Sequence, residues 1–278
     1  MVDAHVHVIP AGDWPEPPPA AVGEFRDVDR ILEQTRADRV LLAPWVRLLG
    51  IDDERLNDGL GELASDRVAV LGAGRPDDPE GLRRTIERGL AGVEVAAKVD
   101  GAFLGDPRFD PFWAAAEERR ALVFVHPSTR GFGGPDDHYL WNTVGNPLET
   151  TVTAAHLVMA GVMERHPDLK VLLAHGGGAV LALRGRLRHA HEHVAGAQGG
   201  LREPVADSLR RFFYDTVTHD PAVLRELVEF VGADRVVAGS DHPFDMGDPD
   251  PAATVRAAGL GSEAEAAILE GNLERLVG

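Results

Sequence analysis

Val2-Asp3-Ala4-His5-Val6-His7-Val8-Ile9-Pro10 opens the chain as a β-branched run closed by proline. Residues two apart on a strand share a face, so His5 and His7 point the same way and can reach one ion. A doubly wound nucleotide-binding fold would carry a Gly-rich phosphate turn after its first strand. Here His-Val-His-Val-Ile-Pro stands in that place.

Outward from this run, seven more short apolar runs follow, at 39–43, 67–71, 92–96, 121–126, 170–175, 212–217 and 235–239. Amphipathic stretches at 28–36, 79–89, 111–120, 151–166 and 222–231 fall between them. Strands alternating with helices in this way predict βαβ units and a parallel sheet. Eight units close a barrel, so the expected fold is α/β, a (β/α)8 TIM barrel, with one domain over residues 1–278. Gly and Pro clusters at 15–19, 131–135, 195–200 and 247–251 read as surface loops.

Composition narrows the chemistry. The chain is 44% hydrophobic and 26% charged, as in a soluble globular protein. Asp plus Glu number 45 against 28 for Lys plus Arg, a net charge of −17 that repels phosphate backbones and predicts no nucleic-acid partner. An anionic substrate must then be drawn in by a local cation. The absence of cysteine removes thiolate ligands and disulfides, so a metal site must use nitrogen and oxygen. No apolar run approaches the roughly 18 residues of a membrane span, and the N-terminus shows no leader pattern. The expectation is a cytoplasmic protein with no membrane partner. Lys98 and Lys170 are the sole candidates for lysine-based chemistry.

Three further side chains repeat the strand-end placement. His126 ends Ala-Leu-Val-Phe-Val and precedes Pro127; His175 ends Val-Leu-Leu-Ala and precedes Gly176-Gly177-Gly178; Asp241 follows Val-Val-Ala-Gly-Ser. Catalytic groups of this fold gather at the C-terminal ends of the strands. Singly, His175 reads equally as a core histidine and Asp241 as a helix N-cap; five metal-type side chains at one rim point to a metal centre instead. His189, His191 and His193 share one probable helix and are assigned no role; His138 and His219 fall in loops that could face the pocket and His242 adjoins Asp241, and each is read as supporting the site from behind or as incidental to it.

The pattern Asp3-Ala-His5-Val-His7, His126-Pro127, His175-Gly-Gly-Gly and Gly239-Ser-Asp241-His-Pro-Phe244 resembles the amidohydrolase superfamily, over the whole chain. Residues 92–101, 124–127 and 145–151 look most like the aminocarboxymuconate-semialdehyde decarboxylase family of metal-dependent, non-oxidative decarboxylases. The resemblance implies that His5, His7, His126 and Asp241 hold one divalent metal ion, zinc or else manganese. It makes His175 the acid/base, with Asp241 a second group able to move a proton. Arg186, eleven residues past His175, has the spacing of an arginine that crosses a homodimer interface to a carboxylate substrate. Arg26 and Arg47 are the candidates for a second substrate arginine, because the segment that supplies it is short here.

The expected activity is decarboxylation of an unsaturated or aromatic carboxylic acid, whose conjugation accepts the electrons left by carbon dioxide. Hydrolysis of a lactone, ester or amide would use the same residues with metal-activated water. A TatD-like nuclease shares the opening His-x-His strand but calls for a basic face, and a non-catalytic metal-binding barrel gives no reason for His175.

Overall fold

The computed structural model describes residues 1–128 and 135–278; positions 131–134 of the expected Gly-rich loop lie outside the described residues. Eight strands follow one another in chain order around one sheet. They are β1 (Val2–Val8), β2 (Arg39–Pro44), β3 (Val68–Ala73), β4 (Gly92–Ala96), β5 (Leu122–His126), β6 (Lys170–Leu173), β7 (Phe213–Asp215) and β8 (Val236–Val237). Each pairs in parallel with the next. The circle closes between β8 and β1 by backbone bonds: Ala4 N–H to the Ala238 carbonyl at 2.8 Å, Asp241 N–H to His5 at 2.8 Å and His7 N–H to His242 at 2.7 Å. The fold is the predicted (β/α)8 barrel. Among the described residues no helix is long and apolar enough to cross a membrane.

Helices α1 (Val28–Thr35), α2 (Asp53–Gly61), α3 (Pro79–Glu87), α4 (Asp110–Glu118), α5 (Asn146–Met159), α6 (Val162–Arg165), α7 (Val180–His193), α8 (Val205–Leu209) and α9 (Pro221–Val231) form the outer layer. Asp27, Asp52, Asp78 and Asp220 cap four of them by accepting first-turn N–H groups. The helix expected at 151–166 begins earlier and is interrupted at Gly161, whose φ of 72° ends α5 and starts α6. Helix α2 offers only Leu56 and Leu60 as an apolar stripe between polar residues and glycines, too thin a signal to anticipate.

The first strand holds a device that sequence parity does not reveal. Asp3 pairs with Val40 and Val6 with Leu42, so Ala4 and His5 together stand opposite Leu41 in a β-bulge. Val2 and Ala4 pack into the barrel interior with Leu41, Leu122 and Phe124. Val6 and Val8, beyond the bulge, pack outward against Ile31 and Leu56 of the helices. The bulge switches which residues face inward, and it is what turns His5 and His7 into the barrel mouth. Asp3 secures it: the buried carboxylate Oδ1 accepts the N–H groups of His5 at 3.2 Å and Ser240 at 3.0 Å.

Asp3→Ala strands two buried donors and is expected to lower stability by about 2–3 kcal/mol. Asp3→Asn keeps an oxygen for both donors and should remain within about 1 kcal/mol of the parent. Thermal melts of the two variants compared with the parent check this; equal losses would refute the bulge-securing role.

Candidate metal centre

The barrel mouth brings together every residue singled out as a ligand. One candidate atom from each of His5, His126, His175 and Asp241 lies within 4.8 Å of the others. His7 adjoins them, its Nε2 standing 3.1 Å from His5 Nε2 and 3.3 Å from Asp241 Oδ1. His5, His7, His126 and Asp241 are buried, and His175 is partly exposed at the edge.

The ring nitrogens facing away from this cluster fix how it can be filled. His7 Nδ1 lies 3.4 Å from the Pro44 carbonyl and His126 Nδ1 lies 3.0 Å from the Pro127 carbonyl. A carbonyl only accepts, so both Nδ1 atoms carry hydrogen and both Nε2 atoms present lone pairs to the centre. His5 Nδ1 lies 2.6 Å from Asp215 Oδ2, which places a proton there as well. Among the described residues His126 Nε2 and Asp241 Oδ1 have no hydrogen-bond partner. Buried atoms of this kind call for a partner, and a divalent cation satisfies three imidazole nitrogens and a carboxylate oxygen at once.

Electrostatics points the same way. Burial opposes charge on His5, but Asp241 and Asp215 on either side outweigh it and raise its imidazolium to about 10. Burial together with the neighbouring histidines drives His126 well below its usual range. Burial disfavours charge on Asp241 too, and the surrounding histidines override that and hold it well below an ordinary carboxyl. The pocket therefore retains one positive charge on His5, which a bound cation would displace with release of a proton.

Two acids missed by sequence reading belong to the site. Asp215 ends β7 fully buried; besides His5 it accepts His175 N–H at 2.9 Å, Gly176 N–H at 2.7 Å and Val217 N–H at 3.1 Å. Glu94 lies on β4, buried, 3.9 Å from His126 Nδ1, with neither oxygen bonded. Burial pushes its carboxyl well above the usual range, and the nearby His5 charge offsets this only in part. Each interrupts an apolar strand, in Phe-Phe-Tyr-Asp215 and Gly-Val-Glu94-Val, and an acid at such a position is the signal that could have found them.

A cleft opens over the centre in two arms that share His175 and Asp241. The larger, about 360 Å³, is walled by Trp45, Arg47, Tyr139, Trp141 and Phe244. The smaller, about 230 Å³, runs past Gly176 to His219 and Leu227. Arg47 therefore reaches the site, its guanidinium 5.9 Å from the centre of the Trp45 ring. Arg186 is exposed on α7 and lines neither arm. Arg26 bonds the Pro10 carbonyl, His242 the Glu24 carbonyl, and Lys98 sits over Phe103 in a short hairpin away from the ligands.

A family model described as amidohydrolase matches residues 2–278. The chain belongs to the amidohydrolase family. Over 175 residues, 61% of this chain and 48% of the relative, it is 33% identical to 2-amino-3-carboxymuconate-6-semialdehyde decarboxylase of Dictyostelium discoideum. Over 217 residues, 69% of this chain and 66% of the relative, it is 30% identical to gamma-resorcylate decarboxylase of Rhodococcus jostii. The aligned part spans about half the length of the first of these relatives. Among solved structures it resembles 5-carboxyvanillate decarboxylase from Sphingomonas paucimobilis, with a TM-score of 0.83 at 23% identity over 100% of this chain and 98% of that one. A dihydroxybenzoic acid decarboxylase from Polaromonas, solved with bound manganese and 2-nitroresorcinol, gives 0.78 at 19% identity over 99% of this chain and 96% of that one. At these identities the structures establish the shared fold.

Glu94 supplies a pH test in chelator-treated protein. Its folded-state pKa is raised, so the folded chain holds a proton that the unfolded chain releases above about pH 4.5. Stability present below that pH is lost as pH rises, by about 1.4 kcal/mol per unit until the folded group ionises. Glu94→Gln lacks this loss. It should match the parent near pH 4.5 and melt progressively higher than the parent toward pH 8; parallel melting curves across that range would refute a protonated Glu94.

Proposed function

We propose that this amidohydrolase-family chain is a metal-dependent, non-oxidative decarboxylase of an unsaturated or aromatic carboxylic acid. The observation that carries the reading is the convergence of the Nε2 atoms of His5, His7 and His126 with Asp241 Oδ1 beneath an arm walled by Trp45, Trp141 and Phe244. Flat aromatic walls suit a planar conjugated acid, and the relatives named above are decarboxylases of such acids. His5, His7, His126 and Asp241 are the proposed ligands. Their imidazole-rich set favours zinc, and manganese, which accompanies the Polaromonas structure, is the alternative.

When bound, the ion supplies Lewis acidity that fixes and polarises the substrate's oxygen atoms. The chain's residues supply the rest. Among the described residues Nδ1 of His175 has no hydrogen-bond partner, and Nε2 bonds Asp241 Oδ2 at 3.4 Å at the floor shared by both arms. That open Nδ1 side, which carbonyls occupy in His7 and His126, supports proton transfer rather than ligation for His175. His175 donates a proton to the carbon bearing the carboxylate. As the carbon–carbon bond breaks, its electron pair returns to the conjugated system, carbon dioxide leaves, and solvent reprotonates His175. Arg47 at the rim pairs with the substrate's negative charge.

We further propose a homodimer in which Arg186 serves the partner's cleft. Its exposure on α7, and the presence of Arg47 as the one arginine among the described residues that lines either arm of its own cleft, support that reading.

Carbon dioxide release from a panel of unsaturated and aromatic acids, with and without chelator, tests the function. About one metal ion per chain with chelator-sensitive release is expected; metal without release would overturn decarboxylation in favour of lactone, ester or amide hydrolysis. His175→Gln should keep its metal and lose about 10²- to 10⁴-fold in kcat, whereas His7→Gln should lose metal. Arg47→Ala should raise KM with little change in kcat, measured at saturating metal.

A further inference from the structure

Asp215, itself neither a proposed ligand nor the proposed acid/base, touches both halves of the proposed machinery. Its Oδ2 accepts from the His5 ring at 2.6 Å and from the His175 backbone N–H at 2.9 Å, while Oδ1 accepts from Gly176 at 2.7 Å and Val217 at 3.1 Å. The last turn of the chain before α7 is bent to meet it: His175 and Gly176 both adopt left-handed backbone, with φ of 56° and 58°. Successive N–H groups in such a turn form a nest for an anion, and left-handed backbone is uncommon for a residue other than glycine.

We infer that Asp215 is a positioning residue that sets two things with one carboxylate: the proton on His5 Nδ1, which leaves Nε2 for a metal ion, and the left-handed turn that aims His175 into the cleft. It does not touch substrate. The inference rests on the ligand and acid/base roles proposed above, and not on which acid, or which reaction, the site serves.

Asp215→Asn separates the two functions of the carboxylate. The amide oxygen can keep Gly176 and Val217. The amide nitrogen then faces His5 Nδ1 and the His175 N–H, two groups that need an acceptor. To accept from the amide, His5 must move its proton to Nε2, where it blocks ligation.

Zinc affinity of Asp215→Asn, measured by competition with a chromophoric chelator, is expected to fall by about 10- to 100-fold. The His175 amide is expected to exchange with deuterium faster than in the parent. Parent-like zinc affinity together with parent-like exchange in a folded variant would overturn the inference. Should the variant not fold, ¹⁵N histidine spectra of the zinc-loaded parent decide. The expected result is a proton on His5 Nδ1; a bare or metal-bound Nδ1 overturns the proposal. Carbon dioxide release enters none of these readouts, so failure of the decarboxylase reading and failure of this one can be told apart.

Discussion

The seam where β8 meets β1 governs the rest of the structure. The ladder there is carried by few bonds, and those bonds join His5 to Asp241 and His7 to His242 through their backbones. Closing the barrel and assembling the ligand set are thus one event: the polar backbone groups that must find partners when the sheet closes belong to the residues whose side chains gather at the mouth. The bulge of β1 is needed for both. Without the extra residue opposite Leu41, His5 and His7 would face the helical layer, and the inward positions would fall to Ala4 and Val6.

Burial makes charge at this mouth a matter of close balance. Four acids, Asp3, Glu94, Asp215 and Asp241, stand within the barrel nearly free of solvent, where an isolated carboxylate costs several kcal/mol. Each is accommodated differently. Asp3 and Asp215 are clasped by backbone N–H groups, Asp241 faces three histidines, and burial raises the carboxyl of Glu94 well above its usual range. The rigid neighbours of His7 and His126 are carbonyl oxygens, which fix tautomers without adding charge. The centre is therefore preorganised for a cation before one arrives.

Periodicity and strand-end placement made much of this legible. The eight strands, the shared face of His5 and His7, and the arrival of His126, His175 and Asp241 at one rim all follow from short-range rules that the sequence expresses directly. What escaped depends on long-range pairing. A bulge exists only relative to a partner strand, so the face taken by β1 could not be read from β1. Asp215 and Glu94 were hidden for another reason: their partners lie far away in sequence, His5 being separated from Asp215 by 210 positions. The final turns of β6 and β7 were overextended: β6 ends before His175, which adopts a left-handed turn whose N–H groups the distant Asp215 carboxylate accepts.

The same charge balance constrains the substrate. With a divalent cation held, Asp241 and Asp215 as carboxylates would match its charge, and Asp3, buried in the same barrel with its pKa raised to about 6, would add a further negative charge above that pH. A carboxylate entering the cleft would then meet a centre with no net positive charge, inside a chain carrying −17 overall. Binding through the cation alone would leave the complex with unbalanced negative charge in a place poorly reached by water. In the proposed function Arg47 would supply the matching charge from the rim, where its exposure keeps its own desolvation small. A substrate with a second negative group would exceed what Arg47 can match. With Arg47 the arginine that lines the cleft among the described residues, the proposed site would suit a monoanionic acid, and a dianionic one would call for a further cation such as the Arg186 proposed from a neighbouring copy.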